Sequence, residues 1–474
     1  MKEKVKCDLA ILGAGAGGLS LAAGASQLGA NVVLIQEGPM GGDCLNYGCI
    51  PSKSLLAAAK CYWQAHHSEK LGTVIQESKL DFKAVMGHVH GVINTIAVHD
   101  SIERFQKLGV RVIQAMGKFV DKSTLIAGDC LIQAKKIVIA TGSSPAIPPI
   151  KGIEEVNYYT NETIFNLETL PRHLLIIGGG PIGCELAQAF SMLGAKVTLF
   201  EGAHILSQDD PECVQTVRES MQKTGVTILE EIQITQLDKD ADNEIELSAK
   251  QNEQLLQFSG SHLLVATGRM PNIKDLACEK AGVTYNKKGI CIDKRLRTAN
   301  KRIFAMGDVT GHLQFTHVAN YHASVVLRNI LFKLPSKANH AITPWVTYTA
   351  PELAHVGKTE AECHACSLDY TILKIEYQDN DRAQTERETA GFIKLIINKK
   401  GKPLGVSIVG HLAGELLLPW VQLIREGKSL RSFTDVMVAY PTLSELNKRI
   451  ASEFYMPKLF SSKVKMLVRL LSYF

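Results

Sequence analysis

One pattern of apolar and polar positions occurs twice along the chain. Asp8-Leu9-Ala10-Ile11-Leu12 is an apolar run that predicts a buried strand, and Gly13-Ala14-Gly15-Ala16-Gly17-Gly18 then opens a helix expected to reach about Leu28. A second strand is expected over 32–35. The pattern returns at 174–177, passes through Gly178-Gly179-Gly180-Pro181-Ile182-Gly183, and predicts a helix to about Leu193 and a strand over 197–200. Each unit reads as strand, glycine turn, helix and strand. Farther on, apolar runs at 392–397 and 405–409 predict strands mixed with helices.

Glycine turns of this kind let backbone amides approach a pyrophosphate, and the helix N-terminus adds positive potential. The candidate contacts are Gly13, Gly15 and Gly18 in the first unit and Gly178, Gly180 and Gly183 in the second. Each unit is followed by Ala-Thr-Gly closing a later strand, at Ala140-Thr141-Gly142 and Ala266-Thr267-Gly268. The spacing separates the two ligands. From Gly178, 23 positions lead to Glu201; the same count from Gly13 leads to Gln36, with Glu37 next. A carboxylate there binds both ribose hydroxyls and repels a 2′-phosphate, so Glu201 favours NADH over NADPH. A protonated His204 nearby would tolerate the phosphate.

Between these units lies Gly41-Gly42-Asp43-Cys44-Leu45-Asn46-Tyr47-Gly48-Cys49-Ile50-Pro51-Ser52-Lys53. Two cysteines can bond only if their α-carbons come within about 7 Å. A regular helix would hold this pair roughly 8.6 Å apart, so the segment must bend, and Gly48 is where a bend costs least. A strained, accessible disulfide is reactive and suits catalysis. Cys61 and His66 could complete a zinc set with the pair, but the spacing matches no common finger, so no metal site is expected.

The cysteine segment resembles the redox-active signature of the class I flavin- and pyridine-nucleotide-dependent disulfide oxidoreductases, the family of dihydrolipoamide dehydrogenase, glutathione reductase and mercuric reductase. The resemblance implies an α/β chain with two Rossmann-like dinucleotide-binding domains plus a C-terminal α+β dimerisation domain. It places FAD on residues 1–148 and 270–340, NAD on 149–269, and the dimer interface on 345–474. Its FAD contacts fall on Gly13, Gly15, Gly18, Gln36 or Glu37, Gly42, Lys53, Thr141, Gly142, Asp308, His317 and Ala319. Its NAD contacts fall on Gly178, Gly180, Gly183, Glu201 and Gly268. It further implies that Cys49 lies against the flavin, that Cys44 meets substrate, and that Lys53 beside the flavin pairs with Glu185. A homodimer is implied, with each active site completed by the partner subunit.

Three departures narrow this reading. Gln36 stands where relatives carry an acid. Pro181 stands where many carry an aromatic lid over the nicotinamide pocket, which a proline cannot form. In Val438-Ala439-Tyr440-Pro441-Thr442-Leu443-Ser444-Glu445, Tyr440 replaces the histidine that serves the interchange thiol, leaving Glu445 behind it. A phenol with pKa near 10 is a poor base at neutral pH. Tyrosine here is reminiscent of mercuric reductase, yet the paired-cysteine tail of those enzymes has no counterpart beyond Cys366. Cys363-His364-Ala365-Cys366 is read as coincidence.

Composition adds limits. The chain has 474 residues, 46% of them apolar and 21% charged, with a net charge of +5. Dispersed basic residues argue against a nucleic-acid partner. With 11 cysteines, no secretory signal and no apolar run near 18 residues, a cytoplasmic protein is expected. Residues 458–474 carry four cations, no acid, and apolar residues at 460, 464, 467, 468, 471 and 474. This stripe fits a helix packed on the dimer or one lying on an anionic membrane. The sequence therefore predicts an FAD-dependent oxidoreductase that passes electrons from NADH through Cys44 and Cys49 to a small thiol-reactive or disulfide acceptor. Mercury(II) reductase is the alternative; dihydrolipoyl dehydrogenase, or a redox sensor on the same scaffold, come after it.

Overall fold

The computed structural model describes residues 2–75, 79–240, 242 and 244–473. The chain divides into two compact units, each assembled from separated segments.

The first unit comprises 1–58, 80–178 and 234–339. Its sheet is parallel through Val110–Gln114, Val32–Gln36, Glu3–Leu12 and Cys130–Ile139, with Ile303–Ala305 also parallel to Cys130–Ile139. Thr124–Ala127 and Gly117–Phe119 extend it antiparallel. The apolar run at 9–12 is almost fully enclosed because its strand lies mid-sheet with material on both faces. On one face the helix Ala16–Gln27 packs with the helix Thr316–Ile330. Leu9, Ile11, Leu19, Leu34, Val325 and Val326 meet in one core cluster. The alternate residues Ala10, Leu12, Val33 and Ile35 enter a second. Within this unit, His173–Ile177 also pairs in parallel with His262–Val265.

The second unit comprises 59–79, 179–233 and 340–474. The helix Pro181–Met192 precedes Lys196–Phe200, which runs parallel to Val226–Leu229. A five-stranded antiparallel sheet follows, ordered Trp345–Thr347, Glu352–Gly357, Pro403–Gly410, Phe392–Ile397 and Thr371–Glu376. Trp420 and Ile450, from the helices Leu418–Glu426 and Glu445–Glu453, complete its core. In the buried strand Phe392–Ile397, the enclosed Lys394 pairs with three carboxylates, Glu212 at 2.7 Å, Glu360 at 2.8 Å and the likewise enclosed Asp210 at 2.9 Å. Enclosed charges of this kind persist only when paired.

Past this sheet, Ser462–Leu471 forms the expected helix. Phe460 precedes it, and position 474 of the predicted stripe lies outside the described residues.

Candidate active site

The first glycine turn is shaped by contacts that only glycine permits. At Gly13, φ is +105°, and a Cβ would lie 2.2 Å from the Ala140 carbonyl oxygen. A Cβ on Gly18 would lie 1.9 Å from the Gly13 oxygen. Gly17 allows close approach to Ala319, on the helix Thr316–Ile330. Gly15 has room beside it, with Gly42 Cα 3.9 Å from its would-be Cβ. The Ala14 amide donates to Gln36 Oε1 at 2.6 Å, whereas Glu37 is exposed.

The second turn repeats the construction. Gly178 has φ +111°, and its Cβ would lie 2.4 Å from the Ala266 oxygen. The Gly179 amide donates to Glu201 Oε2 at 2.6 Å, and Ala203 donates to Oε1 at 2.9 Å. Among the described residues, and apart from the adjoining backbone, nothing lies within 4 Å of a Cβ built on Gly180 or Gly268. Gly183 is buried in the helix, and Pro181 occupies its first turn, where its missing N–H costs nothing. Backbone cradles with open approach fit the phosphates of two dinucleotides.

The cysteine segment docks on the first turn. Gly41 donates from its amide to Ala14 oxygen at 2.9 Å and forms a β-bridge with Gly15. Gly42, at φ +62°, would place a Cβ 2.7 Å from Gly15 Cα. Cys44 lies in the short helix Gly42–Asn46, and Cys49 starts the separate helix Cys49–His66. The break falls at Tyr47 and Gly48, where the bend was expected. Its physical basis is space: a Cβ on Gly48 would approach Asp43 Oδ2 to 2.8 Å.

The break brings the two thiols together. Hydrogen bonding to Cys49, then burial, push the Cys44 thiol up, while Thr316 opposes them. Thr316 Oγ1 also lies 3.7 Å from Cys49 Sγ, at the start of the helix Thr316–Ile330. A helix N-terminus favours negative charge on a nearby sulfur. His317 stacks on Phe315 with ring centroids 5.2 Å apart.

Beneath the cysteines runs a polar network that sequence reasoning missed. Asp43 accepts from Asn161 at 3.0 Å and pairs with Arg269 at 3.0 Å. Asn161 also donates to the Tyr47 oxygen at 3.1 Å. Arg269 Nε donates to Ser143 Oγ at 2.8 Å, and that hydroxyl donates to Asp308 Oδ2 at 2.8 Å. Burial raises the Asp308 carboxyl above its ordinary range, with Ser143 and Arg269 opposing. Thr141 donates from its hydroxyl to the Asn272 oxygen at 2.6 Å, and the Asn272 amide donates to Gly142 oxygen at 3.0 Å. The one available signal was that Arg269 directly follows the second Ala-Thr-Gly.

The remaining predicted residues are placed as follows. Lys53 sits one turn beyond Cys49 on its helix. Glu185 is buried in Pro181–Met192 and accepts from the Tyr348 amide at 2.9 Å. Tyr440 is 70% exposed and donates from its hydroxyl to Asp381 Oδ2 at 2.9 Å. That bond and the Asp381 charge raise the phenol's pKa, so it remains protonated over the physiological range. Glu445 begins the helix Glu445–Glu453. Cys363 is buried in the short helix Glu360–Ala365, and burial raises its thiol pKa.

Two dinucleotide cradles of one design, with adjoining thiols docked on the first, define an oxidoreductase that carries electrons between a nucleotide cofactor and sulfur. Residues 7–323 match the family described as pyridine nucleotide-disulphide oxidoreductase, and 343–450 match its dimerisation domain. The chain belongs to this family, which uses FAD and a pyridine nucleotide, and the dimerisation domain marks a homodimer. It is 33% identical to a mercuric reductase of Streptomyces lividans, over 94% of this chain and 96% of that protein. It is also 33% identical to a dihydrolipoyl dehydrogenase of Staphylococcus aureus, over 95% and 97%. Among solved structures it is similar to the HOCl-induced flavoprotein disulfide reductase RclA from Escherichia coli. That likeness has a TM-score of 0.84 and 28% identity, over 94% of this chain and 99% of that one.

Proposed function

We propose that this oxidoreductase takes electrons from NADH through FAD to the Cys44–Cys49 pair and delivers them to a small thiol-reactive or disulfide acceptor. The observation that carries the reading is the docking of the Gly41–Gly48 segment on the first glycine turn, which holds the two thiols in hydrogen-bonding reach. Residues 1–148 and 270–340 would carry FAD, 149–269 the pyridine nucleotide, and 345–474 the dimer contact. Bound FAD supplies two-electron chemistry between hydride and sulfur. Reduction breaks the S–S bond and leaves two thiols; the acceptor takes the electron pair as the bond closes again.

The chain's own groups prepare this exchange. Thr316 and its helix N-terminus stabilise a Cys49 thiolate, and Lys53, one turn beyond Cys49, adds positive charge. The hydrogen bond with Cys49 and burial keep Cys44 protonated until acceptor binds. Glu201 supports NADH because its carboxylate faces the second turn and would repel a 2′-phosphate. We place the protein in the cytoplasm.

Mercury(II) reduction is the second reading. Tyr440 favours it, because a phenol held protonated by Asp381 cannot take the proton of Cys44, whereas metal bound by two thiolates needs no such base. The test is anaerobic reduction by NADH or NADPH, followed by rapid mixing with lipoamide, glutathione disulfide, mercury(II) or a quinone. Preference for NADH and fastest reoxidation by one thiol-reactive acceptor are expected. Reoxidation that is equally fast when both cysteines are serine would overturn the dithiol route.

A further inference from the structure

We infer that residues 458–474 form an anchor that lays this enzyme on an anionic membrane surface. The helix Ser462–Leu471 has no buried residue. Val464, Leu467, Val468 and Leu471 follow the i, i+3, i+4, i+7 spacing of one apolar face, and the last three are each more than half exposed. Lys465 and Arg469, one turn apart, flank this face. Leu459 and Phe460, ahead of the helix, are also more than half exposed. An exposed apolar face this continuous marks a contact surface.

Charge selects the occupant. Residues 454–474 contain no acid, and Lys458, Lys463, Lys465 and Arg469 give the segment a strong positive balance. A second copy meeting the same face about a two-fold axis would set cation against cation. The dimerisation match ends at residue 450, before this helix begins. An anionic lipid surface offers both an apolar layer and the opposite charge. Ten residues rise about 15 Å, half a bilayer core, so the helix lies along the surface. In keeping with this, no helix among the described residues is long and apolar enough to cross a membrane. The anchor does not rest on the electron path proposed above, because residues 458–474 include none of the residues assigned to it.

Vesicle co-sedimentation of the FAD-loaded full chain tests it, using phosphatidylglycerol mixed with phosphatidylcholine against phosphatidylcholine alone. Binding to the anionic vesicles should exceed neutral binding by about tenfold or more and weaken at high salt. Truncation after Pro457 should abolish it, and so should Leu467→Ser with Leu471→Ser, each with flavin retained and NADH oxidised as before. Equal pelleting by the full and truncated chains would overturn the anchor. So would a full chain that binds no vesicle while truncation dissociates the dimer in sedimentation velocity, which would assign the face to a second copy.

Discussion

The two glycine turns are close copies that differ in what closes them. In each, the amide after the leading glycine donates at 2.6 Å to a side chain 22 residues later, Gln36 in the first and Glu201 in the second. One side chain is neutral and the other anionic. The first turn also receives the Gly41–Gly42 backbone, and with it the cysteines, whereas the second leads through Pro181 straight into a buried helix. On the function proposed above, one scaffold would serve two ends: both turns would bind phosphate, while the strand-end residue and the docked segment would decide which nucleotide and which chemistry follow.

The comparison can be broken most severely at sulfur. Cys49→Ser should lower acceptor reduction by about 10³-fold or more while NADH still reduces the flavin, as a rapid-mixing trace would show. Loss of both steps would mean the cysteine also shapes the cradle. Gly42→Ala comes next, because the new Cβ would press on Gly15 at 2.7 Å in a left-handed backbone. We expect a loss of about 1–3 kcal/mol in stability and weaker flavin retention, measured by thermal melts and flavin release. Gly180→Ala, at a position with open space, should leave the melt nearly unchanged while weakening pyridine nucleotide binding.

Exchanging the closing residues sharpens the comparison further. Glu201→Gln should raise kcat/KM for NADPH relative to NADH by about tenfold, equivalent to about 1.4 kcal/mol. Gln36→Glu keeps an acceptor for the Ala14 amide, so FAD affinity should change little. The smallest effect lies just past the second turn. Burial pushes the Asp209 carboxyl up to about 6, with the Trp345 indole donating to it at 2.7 Å. The folded state therefore holds a proton that the unfolded state releases near its ordinary pKa of 3.8. Stability from this group is complete below that value and declines as pH rises to about 6. Asp209→Asn, which keeps the acceptor oxygen, should flatten that decline in melts across the window.

Much of this was legible because the determining contacts are local or periodic. Apolar runs, glycine turns and a count of 23 positions align Gln36 with Glu201 in the sequence alone. Arg269 was not legible, because its partners Asp43 and Ser143 lie more than 120 residues away and only the folded chain brings them together. Lys394 was hidden for a related reason. Its apolar strand signals burial, but nothing local announces Asp210, Glu212 and Glu360 as partners. The terminal helix was legible as a stripe, while its lack of intrachain cover was not.

The central claim is that sulfur beside the first turn is the electron exit. Anaerobic titration with NADH measures it most directly. The wild-type protein should accept about two electrons beyond those its flavin takes, with two thiols appearing as they do. The Cys44→Ser and Cys49→Ser chains should stop at the flavin. Equal uptake by all three chains would contradict the account.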